Sequence, residues 1–159
     1  MEPLHAVAPA FVDLAHRVVW ATVATTDAEG RPATRILHPI WAWDGTQLTG
    51  WIATSPRSPK AHHLAHVPYV SVTYWQPTHD TCTARCEAAW LDAPEERREL
   101  WDRFASAPPP LGYDPTIIPG WDTPDAPTFG VLRLVPDRLQ VRSGEALMSG
   151  QPPLVWQRR

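Results

Sequence analysis

Two cations, Arg35 and Lys60, and the hydroxyls gathered just before the second are the residues with the plainest chemical use in this chain. Lys60 follows Ser58-Pro59, a serine suited to cap a helix and a proline suited to its first position. A helix N-terminus presents unpaired N–H groups and a partial positive charge. Thr54, Ser55, Arg57, Ser58 and Lys60, joined by Arg35, therefore form a donor set able to hold one phosphate without a glycine-rich loop. Arginine on a strand more often lies on a solvated face, and Ser-Pro-Lys opens many helices, so residue types alone favour an ordinary structural role.

The elements that must position these groups read as strand, turn, strand, loop and helix. Residues 34–43 are rich in β-branched and aromatic types, Asp44-Gly45 is a hairpin signal, and residues 46–54 alternate into a second strand. His38-Pro39 interrupts the first strand. Proline removes a ladder donor, so an edge, bulge or bend is expected there, where backbone groups of Ile36 to His38 are free to meet a flat ring. A simple bulge with nothing bound accounts for it equally well.

The order Arg35-Ile36-Leu37, a hairpin, Ile52-Ala53-Thr54-Ser55, Ser58-Pro59-Lys60-Ala61-His62-His63-Leu64 and Val67-Pro68-Tyr69-Val70-Ser71-Val72 resembles the core of the pyridoxamine 5′-phosphate oxidase-like, flavin-binding split-barrel superfamily. A weaker likeness extends over about residues 11–144. The resemblance implies that Arg35 and Lys60 clamp the phosphate of FMN. It further implies that Thr54, Ser55 and Ser58 hydrogen-bond the ribityl chain or phosphate, and that backbone at Ile36, Leu37 and Ile52 meets the ring. A homodimer with the cofactor site shared at its interface is implied as well. One departure stands out: Pro59 separates Ser58 from Lys60 where the oxidase proper has an Arg-Lys pair, so either Arg57 substitutes or the lysine acts alone.

The rest of the chain reads as a frame for that core. Residues 9–17 form a helix covering one end of a barrel, with Phe11 and Leu14 inward, residues 18–25 form a strand, and Asp27-Ala28-Glu29-Gly30 turns it. Strands follow at 69–75 and 81–91. Asp92-Ala93-Pro94-Glu95 suggests a capping box for a helix running to about Phe104. Segments 128–136 and 138–143 close the sheet, and 145–159 is a tail. Residues 106–127 hold seven prolines, which exclude regular structure, yet Leu111, Tyr113, Ile117, Ile118 and Trp121 are too apolar for a free linker; a wall beside the cofactor site is expected. The whole is a single domain, mainly β with flanking helices (α+β): a split β-barrel of six to seven antiparallel strands.

Composition narrows the partners. A formal net charge of −3 argues against a nucleic-acid surface, and no apolar run is long enough to span a bilayer. Met1-Glu2-Pro3-Leu4-His5 lacks a signal-peptide layout, so a cytoplasmic location is expected. Cys82 and Cys86, four apart on one strand, share a face at a separation too great for a disulfide and read as core thiols. His62 and His66 stack at i and i+4 with no acidic or sulfur ligand nearby, so no metal is assigned. Nine tryptophans exceed what one small core can take, and aromatics concentrate on surfaces that become buried.

Three functions follow. The first is an FMN-dependent oxidoreductase moving hydride to or from a small organic substrate, with His38 and Tyr113 as the available proton donors. The second is a reductase using the deazaflavin coenzyme F-420, whose glutamate tail asks for further cations; Arg57, His62 and His63 are at hand. The third is a non-enzymatic flavin-binding stress or redox protein.

Overall fold

The computed structural model describes residues 1–158. Its elements run α1 (Leu4–Val18), β1 (Ala21–Thr26), β2 (Pro32–Leu37), β3 (Pro39–Trp43), β4 (Leu48–Thr54), α2 (Pro59–His66), β5 (Tyr69–Trp75), β6 (Thr81–Trp90), α3 (Pro94–Ser106), a 3-10 turn (Pro115–Ile117), β7 (Gly130–Arg142), α4 (Gly144–Met148) and β8 (Leu154–Gln157). All pairings are antiparallel, in the order β2-β1-β5-β6-β7-β4-β3.

The path's two outermost strands, β2 and β3, are separated in the chain by His38 alone. A single residue cannot span a flat sheet, so the sheet must roll until its two edges meet at that residue. Along β7 the pairing divides. Residues Gly130 to Leu134 pair with β4, residues Arg138 to Val141 pair with β8, and β6 runs along the opposite side of both. Pro136 sits where the β6–β7 register shifts, next to Asp137, so its missing N–H falls at the irregularity and one long strand replaces the two expected segments.

The rolled sheet closes over α1. Val7, Ala8 and Phe11 are fully buried, and the Phe11 ring meets Trp41 edge-on at 4.8 Å. Trp41 Nε1 donates to the Tyr74 hydroxyl at 2.9 Å, which leaves neither buried polar group unpaired. Gly50, opposite Trp41, is required there: a Cβ would lie 2.7 Å from the indole. A second apolar cluster, with Leu100, Trp121, Phe129 and Val131, lies beneath α3.

Several boundaries differ from expectation. Helix α1 begins five residues early and carries Pro9 inside it, because Val7 and Ala8 must reach the core. Strand β1 starts at Ala21, after a turn at Val19 with φ 71° that is held by Val19 N–H donating to the Ala15 carbonyl at 2.8 Å. Asp92 caps nothing; Ala93 is the N-cap of α3, and Pro94 at its first position leaves one fewer N–H to satisfy. The tail supplies an eighth strand, since the N-terminal segment anchors β8 through Glu2 N–H to the Val155 carbonyl at 2.8 Å. Cys82 and Cys86 are free thiols facing inward on β6, where burial pushes both pKa values up. No helix among the described residues is long and apolar enough to cross a membrane.

Candidate functional site

Arg35 points inward from β2 opposite Val23. Its Nη1 donates to the carbonyls of Val23 (3.1 Å) and Ala33 (3.0 Å) and to Thr25 Oγ1 (2.8 Å). Every partner is neutral, and Nε and Nη2 have no protein acceptor among the described residues. Burial draws the guanidinium pKa down from its usual value.

Lys60, at the second position of α2, is buried at 7% relative exposure, deeper than a lysine ordinarily sits. Its Nζ donates to Ser58 Oγ at 2.6 Å, and Ser58 Oγ donates in turn to the Ser55 carbonyl at 2.7 Å. Ser58 is the N-cap as expected, but its hydroxyl serves the lysine and Ser55 and makes no cap bond to α2. Desolvation and the nearby charge of Arg35 lower the Lys60 pKa to about 8. Neither cation has a carboxylate partner among the described residues. The arrangement is two like charges, partly removed from water and near enough for Arg35 to lower the Lys60 pKa, with no anion bonded to either among the described residues.

The other expected phosphate residues divide. Thr54 is buried at the end of β4, and Ser55 Oγ accepts from the Arg57 N–H at 3.2 Å. The Arg57 side chain is exposed and makes no hydrogen bond among the described residues. His62 is exposed, and its carbonyl lies 2.9 Å from His66 Nδ1. His63 Nδ1 lies 2.9 Å from Thr25 Oγ1. Thr25 escaped notice in the sequence, although counting back from the Asp27–Gly30 turn sets it opposite Ala33, on the face that Arg35 shares.

A cavity of about 240 Å³ opens beside the β2–β3 corner, walled by Ile36, Leu37, His38, Ala53, Tyr113 and Trp121 among others. The 106–127 loop supplies much of that wall. Trp121 is fastened by its Nε1–H to the Thr128 carbonyl at 2.9 Å, and Tyr113 by its N–H to the Phe104 carbonyl at 3.0 Å. Strand alternation turns the Ile52 side chain into the core and presents Ala53 to the cavity, which leaves the backbone of Ile52 as the part expected at the ring.

His38 and Tyr113 come together here, their rings 5.2 Å apart. Burial lowers the His38 pKa, against a smaller opposing effect of the Leu111 backbone, so the ring is neutral at pH 7. Its Nε2 is buried with no hydrogen-bond partner. Burial also pushes the Tyr113 hydroxyl up to about 12, which keeps its proton in place. His38 and Tyr113 thus bring un-ionised rings to an apolar wall, with His38 Nε2 itself buried. His16, which the sequence did not single out, anchors the frame by accepting from the Trp41 N–H through Nε2 at 3.0 Å; burial lowers its pKa.

The family model for pyridoxamine 5′-phosphate oxidase matches residues 7–142. Solved structures share the fold. A pyridoxamine 5′-phosphate oxidase-related, FMN binding protein from Nostoc punctiforme is 19% identical, with a TM-score of 0.69 over 100% of this chain and 93% of its own. General Stress Protein 26 from Bacillus anthracis is 12% identical, with a TM-score of 0.67 over 97% and 98%. A protein of the nimc/nima family from Clostridium acetobutylicum is 12% identical, with a TM-score of 0.68 over 95% and 92%. Among curated proteins no sequence matches.

The depressed lysine sets a sign for stability. Protonated Lys60 is disfavoured in the fold, so the penalty is complete below about pH 8 and is relieved as pH rises toward the ordinary lysine value of 10.5. Replacement by an apolar side chain of similar length removes that penalty. Lys60→Met is expected to stabilise the ligand-free protein at pH 7 by about 1–3 kcal/mol in urea denaturation, with the gain vanishing above about pH 10.

Proposed function

The chain belongs to the pyridoxamine 5′-phosphate oxidase family, and on that premise we propose that it binds FMN through Arg35 and Lys60 and acts as an oxidoreductase on a small organic substrate. Charge balance carries this reading. A phosphate monoester brings close to two negative charges at neutral pH, the complement of two desolvated cations whose protein partners are all neutral. Bidentate donation from Arg35 Nε and Nη2 is open to such a group, and Lys60 Nζ retains donors beyond the one given to Ser58. The Nostoc relative, named as FMN binding, supports flavin among the phosphates that would fit.

FMN brings its own hydride chemistry when bound. What falls to the chain is binding, orientation and exclusion of water. Arg35 and Lys60 hold the phosphate. Backbone at Ile36 and Leu37, beside the His38 corner, forms a wall for the ring. The loop carrying Tyr113 and Trp121 walls the adjoining cavity, and the absence of Asp, Glu, Lys and Arg from that cavity's lining favours an uncharged organic substrate. The neutral His38 ring and the Tyr113 hydroxyl, kept protonated by burial, are the groups of this wall able to give or take a substrate proton.

The cavity rim is apolar and open: Trp20 and Ile36 are each 60% exposed and Ile117 67%. We propose that a second copy of the chain covers this rim, so that two protomers share each cofactor site.

Two measurements test the reading. Arg35→Ala and Lys60→Ala each remove a charge-assisted hydrogen bond, and FMN affinity in fluorescence titration is expected to fall by about ten- to a hundredfold in either variant. Riboflavin, which has the same ring and no phosphate, should bind wild type weakly and lose little more in the variants; parallel losses for both ligands would contradict the phosphate assignment. Light scattering of the flavin-loaded protein should report a mass near twice 17.8 kDa, and a monomeric mass with flavin bound would remove the shared site.

A further inference from the structure

Beyond the two cations, the hydrogen bonding behind Arg35 forms a chain. Thr25 lies on β1 at 2% exposure, and its Oγ1 is 2.8 Å from Arg35 Nη1 and 2.9 Å from His63 Nδ1. Arginine can only donate, so Oγ1 accepts from Arg35, and with a second lone pair and its own O–H it either accepts from His63 Nδ1 or donates to it, according to the ring's tautomer. His63 stands three residues after Lys60 on α2, close to the same helix face, and the next residue, Leu64, is buried. Three elements are thereby tied together: β2 through Arg35, β1 through Thr25, and α2 through His63.

Two like charges with no anion between them repel and would drift apart if each rested on a flexible side chain. The chain of bonds opposes this. Arg35 Nη1 is fixed by two carbonyls and the Thr25 hydroxyl, which leaves Nε and Nη2 without an acceptor among the described residues, and the Thr25–His63 bond ties down the helix that carries Lys60. We infer that Thr25 and His63 are positioning residues that brace Arg35 against Lys60, and so set how strongly the site prefers a phosphorylated flavin to the same flavin without its phosphate. This rests on the phosphate reading proposed above. A hydroxyl that merely satisfied buried donors would support the fold and affect both ligands alike; a brace acts on the phosphate end alone.

The readout is the ratio of riboflavin Kd to FMN Kd, measured by fluorescence titration on folded protein. Thr25→Val keeps the shape and removes the hydroxyl; the ratio is expected to fall about tenfold, with riboflavin changed by less than about twofold. Thr25→Ser, which restores the hydroxyl, should recover the ratio to within about twofold of wild type. His63→Ala, at a half-buried position that folding tolerates better, should lower the ratio in the same direction, and the double variant should be no worse than Thr25→Val alone because both interrupt one chain. A wild-type ratio in Thr25→Val or His63→Ala, alongside a reduced ratio in Arg35→Ala, overturns the brace and leaves the phosphate reading standing. Parallel loss of both ligands in Thr25→Val also overturns it. An unchanged ratio in Arg35→Ala overturns the phosphate reading itself.

Discussion

Arg35 and Lys60 lie near enough for one to depress the pKa of the other, with no carboxylate bonded to either among the described residues, and much of the surrounding structure serves to keep them there. Coulomb repulsion in a partly desolvated setting is stronger than in water, so the pair is unfavourable unless a third, negative group completes it. The Lys60 pKa, lowered to about 8 by burial and by Arg35, records that strain. Surface loops commonly place lysines where they reach solvent; here Lys60 follows Pro59 at the start of a short helix packed by Leu64, and solvent is withdrawn from it. On the proposed phosphate reading the site trades stability for affinity, a balance met at binding sites generally.

The second constraint is the one-residue corner at His38. Because β2 and β3 are the two outermost strands of the hydrogen-bonded path and yet adjoin in the chain, the corner closes the barrel and sets Ile36 and Leu37 against the 106–127 loop. Pro39 directly after the corner carries no N–H, which suits a strand leaving one edge for another. The proposed phosphate clamp and ring wall are thus consecutive parts of one strand: Arg35 points inward and Ile36 outward, as the two-residue period of a strand requires.

Local rules made most of this legible. The Asp44-Gly45 hairpin, the break at His38-Pro39 and the start of α2 at Pro59 all follow from turn and cap chemistry within a few residues, and resemblance supplied the family. What stayed hidden was set by contacts distant in sequence. Thr25 meets His63 across 38 positions, His16 meets Trp41 across 25, and β8 is a four-residue strand stabilised by the opposite terminus. Ser58 shows how a correct local reading can still misplace a bond: it stands at the N-cap, but a buried ammonium 2.6 Å away competes for its oxygen. Lysine burial itself has no signature in the sequence around Lys60.

The central claim is that Lys60 lacks an anion and gains one when flavin phosphate binds. An ammonium with a pKa near 8 is about half charged at pH 8 and becomes fully charged beside a phosphate dianion, so binding must draw protons from solution. Titration calorimetry of FMN into the protein at pH 8, repeated in buffers of different ionisation enthalpy, measures that uptake directly. About half a proton taken up per FMN is expected, with none for riboflavin and none for FMN in Lys60→Met. No uptake by wild type, or equal uptake with riboflavin, would contradict the account.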